Sequence, residues 1–440
     1  MTTRDNIDRI LNLPTKFFVD IGASNVPGES QTEVLIGKGW SGIMFECDPF
    51  KARGLTERMV GNPVVVVSSK VTPDNIVQHL RDNNAPNDFF LSLDIDGYDF
   101  FVLKAILEHF KPQFIVSEIN EKIPPPIKFT VLYEPDYWWN VSHFYGYSIS
   151  MLEDLLPQHG YRVDALDYNN VMIVPGTQET SLRDIYNEGY FSKSDRRKRF
   201  HYNEDFNPIY GMTYDDQIKF VCDKFHKFEG RFSIDGGVYV QNNGQIRLMN
   251  PFGDWIAQYA KDGRFSRYVE IGTWNGRGST CCFYDGFVRR SSPATLQSYE
   301  TSKSRVQEAR DLWKHAPQIR FVHGRVLDDS KCPTFSTVQS AFPNLTVAWH
   351  TEDVDNFWSS PHVPMEDPEV VLLDGAEYLT YFEFEEMKTM KGIKVFMLDD
   401  TSVDKCRAIH QSLLDDPEWK YVVGSETDRN GWSIFERSSE

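Results

Sequence analysis

Four short segments of this chain occur twice, with the same kinds of residue in the same order, and each brings an apolar run to a carboxylate. "VDIGASN" at 19–25 is answered by "VEIGTWN" at 269–275, "FECDP" at 45–49 by "YETSK" at 299–303, "LDIDGYD" at 93–99 by "LLDGAE" at 372–377, and "VSEIN" at 116–120 by "MLDDT" at 397–401. An acid, a glycine turn and a second acid suit an adenosine ligand, because glycine lets the backbone come close and the second carboxylate accepts ribose hydroxyls. Asp20 with Glu46, and Glu270 with Glu300, fill those places. The second turn reads E-x-G-x-x-x-G-x-G, through Gly272, Gly276 and Gly278, whereas the first keeps Gly22 and has its next glycine only at Gly28. Neither matches the G-x-G-x-x-G that cradles the pyrophosphate of a nicotinamide dinucleotide.

These segments can act together only if the apolar runs are neighbouring strands. Strands are expected at 17–21, 42–47, 63–69, 89–95, 114–119, 160–166 and 170–175, separated mostly by helical stretches. One of these, at 98–110, sets Val102, Ile106 and Phe110 at helical spacing. From residue 251 the order repeats: an entry helix, then "RYVEIG", "LQSYE", "RFVHGRV", "EVVLLD", "KVFMLD", "KYVVG" and "WSIFER" as strands. Such alternation predicts a parallel sheet wrapped by helices, and the tight joins at 167–170 and 425–431 make the last two strands of each copy antiparallel. The expected fold class is α/β, with two Rossmann-like domains, each a seven-stranded mostly parallel sheet ending in an antiparallel hairpin. The four pairs of segments then lie at the carboxyl edges of the sheets, where ligands bind in open α/β folds. The domains are expected at 1–178 and 251–440, with 179–250 a mainly helical connector carrying a hairpin around Asn242, Asn243 and Gly244.

At 440 residues the chain exceeds what a single core usually serves, in keeping with two domains. A formal charge of −18 argues against nucleic acid and anionic membranes as partners. The one basic run, "DRRKR" at 195–199, reads as a solvated helix of the connector. The six cysteines show no C-x-x-C spacing and read as reduced core thiols. There is no apolar leader and no run of the roughly 18 apolar residues a membrane span needs, so the expected location is the cytoplasm.

With these segments in place, both halves resemble class I S-adenosylmethionine-dependent methyltransferases. Residues 15–176, with "FFVDIGA", "FECDP" and "LSLDIDGYDFFVLKAIL", are similar to the FkbM-type family, and residues 251–437, with "YVEIGTWNGRGST", "LLDGAEYLTYFEFEEM" and "FMLDDTS", to macrocin-type sugar O-methyltransferases. The resemblance implies S-adenosylmethionine on Glu270, Gly272, Gly276, Gly278 and Glu300, and in the first half on Asp20, Gly22 and Glu46. It further implies a magnesium ion on Asp374, Asp399 and Asp400, with Asp374 in the catalytic set and Glu377 as general base. The matching first-half set is Asp96, Glu118 and Asn120, with Asp99 answering Glu377. A divalent ion on such acids would hold an acceptor hydroxyl and ease loss of its proton.

The implied acceptor is a sugar or glycan hydroxyl, and one or both halves would be active. Trp138, Trp139, Trp349 and Trp358 lie in segments able to wall an acceptor pocket. The competing use of these rings is packing between domains or at a homo-oligomer contact. Two other functions compete with methyl transfer: a metal-dependent glycosyltransferase using the Asp94/Asp96 pair, and a non-catalytic glycan-binding scaffold.

Overall fold

The computed structural model describes residues 7–28, 30, 32–193, 201–343 and 351–438. The chain divides into two units, Met1–Tyr239 and Val240–Glu440.

In the first unit the strands are β1 (Phe17–Ile21), β2 (Ser41–Glu46), β3 (Val64–Ser68), β4 (Phe90–Leu93), β5 (Phe114–Glu118), β6 (Phe129–Val131), β7 (Tyr161–Asp167), β8 (Asn170–Pro175), β9 (Phe232–Ile234) and β10 (Gly237–Val238). The main sheet has the order β3-β2-β1-β4-β5-β8-β7. β8 alone runs against its neighbours, β5 and β7. The central strands are apolar almost throughout because helices cover both faces. One such helix, Asp99–His109, buries Val102, Leu103, Ile106 and Leu107 against Val19, Leu91 and Ile115. At the carboxyl edge, the Asp48 side chain accepts from the N–H groups of Phe50 and Lys51 at 2.8 and 3.1 Å and starts the helix Pro49–Met59. The chain thereby turns away directly after Glu46.

The segment expected to be a connector is shared between the units. Its portion up to Tyr239 packs into the first: Tyr186 donates to the Glu121 carbonyl at 2.6 Å, and Phe206 and Phe225 join Phe129, Phe144 and Phe232 in one buried aromatic cluster. The "DRRKR" run lies outside the described residues. The hairpin of this region turns at Asp235 and Gly236, not at Asn242–Gly244, and β9 pairs on its other side with β6. Asp235 and Gly236 have φ of +49° and +86°, the two left-handed residues that a tight hairpin turn requires. Asn242 is used otherwise, as described below.

In the second unit β11 (Arg267–Ile271), β12 (Thr295–Glu300), β13 (Ile319–His323), β14 (Val370–Leu373), β15 (Val395–Asp399), β16 (Trp419–Ser425) and β17 (Trp432–Arg437) form a sheet of order β13-β12-β11-β14-β15-β17-β16. It is the first sheet over again, with β17 antiparallel to β15 and β16. Trp432 pairs with Asp399, so the loop before β17 returns Arg429 and Asn430 to the carboxyl end of β15. Phe384, Met387, Ile409 and Leu413 cover Val371, Leu373, Phe396 and Leu398.

All six cysteines are free, yet only Cys281, Cys282 and Cys406 are buried, and Cys47 is exposed at the rim of the first sheet. Among the described residues no helix is long and apolar enough to cross a membrane.

Candidate active site

In both units the backbone leaves the first central strand in the same way. The N–H groups of Gly22 and Ala23 donate to the Phe45 carbonyl at 3.1 and 2.9 Å, and those of Gly272 and Thr273 donate to the Tyr299 carbonyl at 3.0 and 3.1 Å. Gly22 and Gly272 have φ of +88° and +96°, and a Cβ on either would stand 1.7 Å from the Asp94 carbonyl oxygen or 2.0 Å from that of Asp374. Only glycine lets the first strand's exit pass so close to the fourth. Gly276, also left-handed, lies against Trp313, whose Nε1 donates to its carbonyl at 2.9 Å.

A second brace on this turn is not legible in the sequence. Asn242 Nδ2 donates to the carbonyls of Arg277 and Gly278 at 3.2 and 2.8 Å, and the Gly244 N–H donates to the Arg277 carbonyl at 2.9 Å. The Asn-Asn-Gly signal is present, but it marks a clamp on the glycine turn.

The four expected cofactor acids divide into two kinds. Glu270 is fully buried, and its carboxylate accepts from the hydroxyls of Ser279, Ser298 and Thr280, the last at 2.7 Å. Asp20 likewise accepts from Ser30 and from Thr32, the latter at 2.6 Å. Burial raises both carboxyl pKa values above the ordinary range, with the hydroxyls opposing it. These acids tie the turn to the sheet beneath it and are shut off from solvent. Glu300 and Glu46 stand at the rim itself. Glu300 accepts from the N–H groups of Trp274 and Ser302 at 2.9 and 2.8 Å, and Glu46 from that of Asp48 at 2.8 Å. Trp274, itself left-handed and exposed, carries the Arg305 guanidinium 3.5 Å from its ring centroid.

Asp374, Asp399 and Asp400 do converge, with ligand oxygens within 4.8 Å of one another. They converge on a cation the chain supplies. Lys405 Nζ lies 2.9 Å from Asp374 and 2.7 Å from Asp400, Arg429 donates to Asp399 at 2.9 Å, and Asn430 to Asp400 at 3.0 Å. Burial would lower the Lys405 pKa, but the Asp374 and Asp400 charges outweigh it and hold the ammonium firmly protonated. Burial would raise Asp400, and the same ammonium keeps it below the usual range. Asp399, with burial and the Asp374 charge acting on it, is pushed up to about 8. A magnesium ion at the expected place would have to displace Lys405, so these residues as arranged do not fit one.

In the first unit the register corrects the sequence alignment of the repeats. The Asp94 N–H donates to the Ile21 carbonyl at 2.9 Å, as that of Asp374 does to Ile271 at 2.9 Å. Asp94, not Asp96, is therefore the counterpart of Asp374, and the second acid of the first copy's loop folds back at φ +53°. Leu93 pairs with Ser117 as Leu373 pairs with Leu398, which makes Glu118 the counterpart of Asp399. Asp94, Asp96 and Glu118 bring ligand oxygens within 4.8 Å of one another. Burial and the neighbouring charges push Asp94 up to about 7 and raise Glu118, while burial raises Asp96.

Asn120 is not in this cluster; its amide donates to the carbonyls of His143 and Tyr145, each at 2.9 Å. Asp99 is also elsewhere, fully buried, accepting from the N–H groups of Ile95 and Gly97 at 2.9 Å each, with burial lifting its carboxyl to about 6. It holds the loop and is closed to a substrate.

Two open sheets, each with a reversed strand between the fifth and sixth and a glycine turn beside an acid on the same rim, decide the fold. Both units are Rossmann-like α/β domains of one and the same strand order. No family model matches the chain, and no curated protein does. Among solved structures, the SAH-bound methyltransferase PaMTH1 of Podospora anserina aligns over 42% of this chain and 78% of its own at 13% identity and a TM-score of 0.29. An O-methyltransferase from Bacillus cereus in complex with SAH aligns over 45% and 85% at 13% identity and a TM-score of 0.31. TomG of Streptomyces achromogenes, in complex with SAM, aligns over 44% and 82% at 13% identity and a TM-score of 0.30.

Around the second rim, Glu377 is half-buried, its carboxyl pKa raised by burial against the pull of Lys405. Trp358 is anchored by a 3.0 Å bond from its Nε1 to the Pro333 carbonyl and packs with the small cluster around Phe357. Trp138, in the first unit, is 64% exposed beneath Lys70. Trp349 lies outside the described residues.

Proposed function

We propose that the second unit is an S-adenosylmethionine-dependent O-methyltransferase, with the cofactor on the turn Gly272–Gly278 and its ribose on Glu300. The observation that carries this is the pairing of the Gly272 turn with Glu300 at the carboxyl edge between β11 and β12, where the Trp274 N–H is bonded to that acid. A sulfonium nucleoside needs a close backbone and a ribose acceptor but no phosphate cradle, and this rim offers the first two.

In the reaction proposed, a hydroxyl oxygen of a sugar or glycosylated metabolite attacks the sulfonium methyl, the carbon–sulfur bond breaks, and the hydroxyl proton leaves to a base. Glu377 is the candidate base: it borders the rim, and its raised pKa suits proton uptake. Lys405 supplies positive charge next to Asp374 and Asp400, so no step here is assigned to magnesium. Glu270 and Asp20 act as positioning residues.

The glycosyltransferase reading loses its ground because Asp94 and Asp96 stand with Glu118 at the rim position that Asp374 and Asp399 occupy in the second copy. Calorimetry with S-adenosylhomocysteine, and labelled-methyl transfer to glycan extracts, test the proposal. Binding of a UDP-sugar with no response to the nucleoside would reverse it. The same measurements on Glu46→Gln and Glu300→Gln show which unit binds.

A further inference from the structure

The second unit answers its own rim carboxylates with Lys405, Arg429 and Asn430. The first unit gathers as many carboxylates, and Lys122 acts on one of them, Glu118, only through its charge. Among the described residues no lysine or arginine pairs with Asp94, Asp96 or Glu118. The lysine closest in sequence, Lys122, is buried with its ammonium 2.6 Å from the Tyr145 hydroxyl and 3.4 Å from Glu121.

Glu118 is 8% exposed. Its Oε1 takes the amide of Asn169 at 2.5 Å, while its Oε2 is sealed from solvent and has no donor. Ligand oxygens of Glu118, Asp94 and Asp96 lie within 4.8 Å of one another. Carboxylates that close repel unless a cation or a proton lies between them. The backbone fixes all three: Asp94 by its N–H on Ile21, Glu118 by its place in β5, and Asp96 by a left-handed loop that Asp99 ties through Ile95 and Gly97.

We propose that a hard divalent cation of the magnesium and manganese class binds the first unit through Asp94, Asp96 and Glu118, and that Asp374, Asp399 and Asp400 bind none while Lys405 is present. An all-oxygen, all-carboxylate donor set suits these ions, and soft metals have no ligand there. The proposal concerns the first unit and stands whether or not the second transfers methyl groups.

The test uses the full chain, stripped with EDTA and titrated with manganese chloride while the free ion is followed by electron paramagnetic resonance. One ion per chain is expected. Glu118→Gln and Asp94→Asn should each weaken binding tenfold or more, and Asp374→Asn should leave it unchanged. Manganese should raise the melting temperature of the native chain but not of Glu118→Gln. That variant, having lost a repelling charge, should melt no lower than the metal-free native chain, which separates lost binding from lost folding. No bound ion up to millimolar manganese would overturn the proposal, a shared proton then relieving the carboxylates. Binding kept in Glu118→Gln and lost in Asp374→Asn would overturn it equally.

Discussion

The Lys405 ammonium lies 2.9 Å from the carboxylate of Asp374, with both side chains largely withdrawn from water. Through this contact and its 2.7 Å partner on Asp400, one side chain bridges the loops that follow β14 and β15.

Lys405→Ala should therefore destabilise the second unit by roughly 2 to 4 kcal/mol, since it leaves two shielded carboxylates without their counter-charge. Urea unfolding measures this. The variant should also recover part of the loss in millimolar manganese, a response the native second unit lacks. Stability equal to the native protein would mean that the ammonium is not what holds the loops together.

Glu300→Gln keeps the shape of the rim and an acceptor oxygen but removes the charge that ribose hydroxyls would meet. Affinity for S-adenosylhomocysteine should fall about tenfold, the scale of one charge-assisted hydrogen bond. Calorimetry reads it directly; unchanged affinity would place the nucleoside elsewhere.

Glu383 provides a pH handle away from the rim acids. Burial lifts its carboxyl from an ordinary 4.5 to about 8, against smaller opposing pulls from the Val326 backbone N–H and then Arg325. Because the folded pKa exceeds the unfolded one, its contribution to stability is complete below the ordinary value and is lost as pH rises through about 8. Glu383→Gln should melt several degrees higher than the native chain at about pH 9 and show little gain at about pH 5. A gain of the same size at both would exclude this carboxyl as the cause.

Gly272→Ala places a Cβ 2.0 Å from the Asp374 carbonyl at a left-handed φ. The exit of β11 cannot move without breaking its bonds to Tyr299, so the cost should exceed about 3 kcal/mol. Circular dichroism during thermal unfolding should show a second unit melting well below the first. An unaltered transition would mean that the turn is free to shift.

The chain order of strands and helices is legible in the residues alone. Each strand is a short apolar run and each flanking helix a stripe of apolar residues, and both signals are local. The rim is legible in the same way, since an acid and a glycine at a strand's end are sequence neighbours. The hairpin at Asp235 escapes such reading for a related reason: Asn-Asn-Gly and Asp-Gly are both turn signals, and only the pairing of β9 with β6 distinguishes them.

Side-chain roles that depend on distant partners cannot be read so. Glu270 and Glu300 look alike in sequence, and the hydroxyls of Ser279, Thr280 and Ser298 bury the first while the second keeps its place at the rim. Asp96 looks like the partner of Asp374 in the repeat, and strand register gives that place to Asp94.

By itself, then, the amino-acid order determined two copies of one α/β sheet and the carboxyl rim of each, because periodicity and turn chemistry act over a few residues. Which acids are held by hydroxyls beneath the turn, and which already have a cation, only the tertiary structure decided. Lys405 reaches Asp374 from 31 positions away, and electrostatics acts through space, not along the chain.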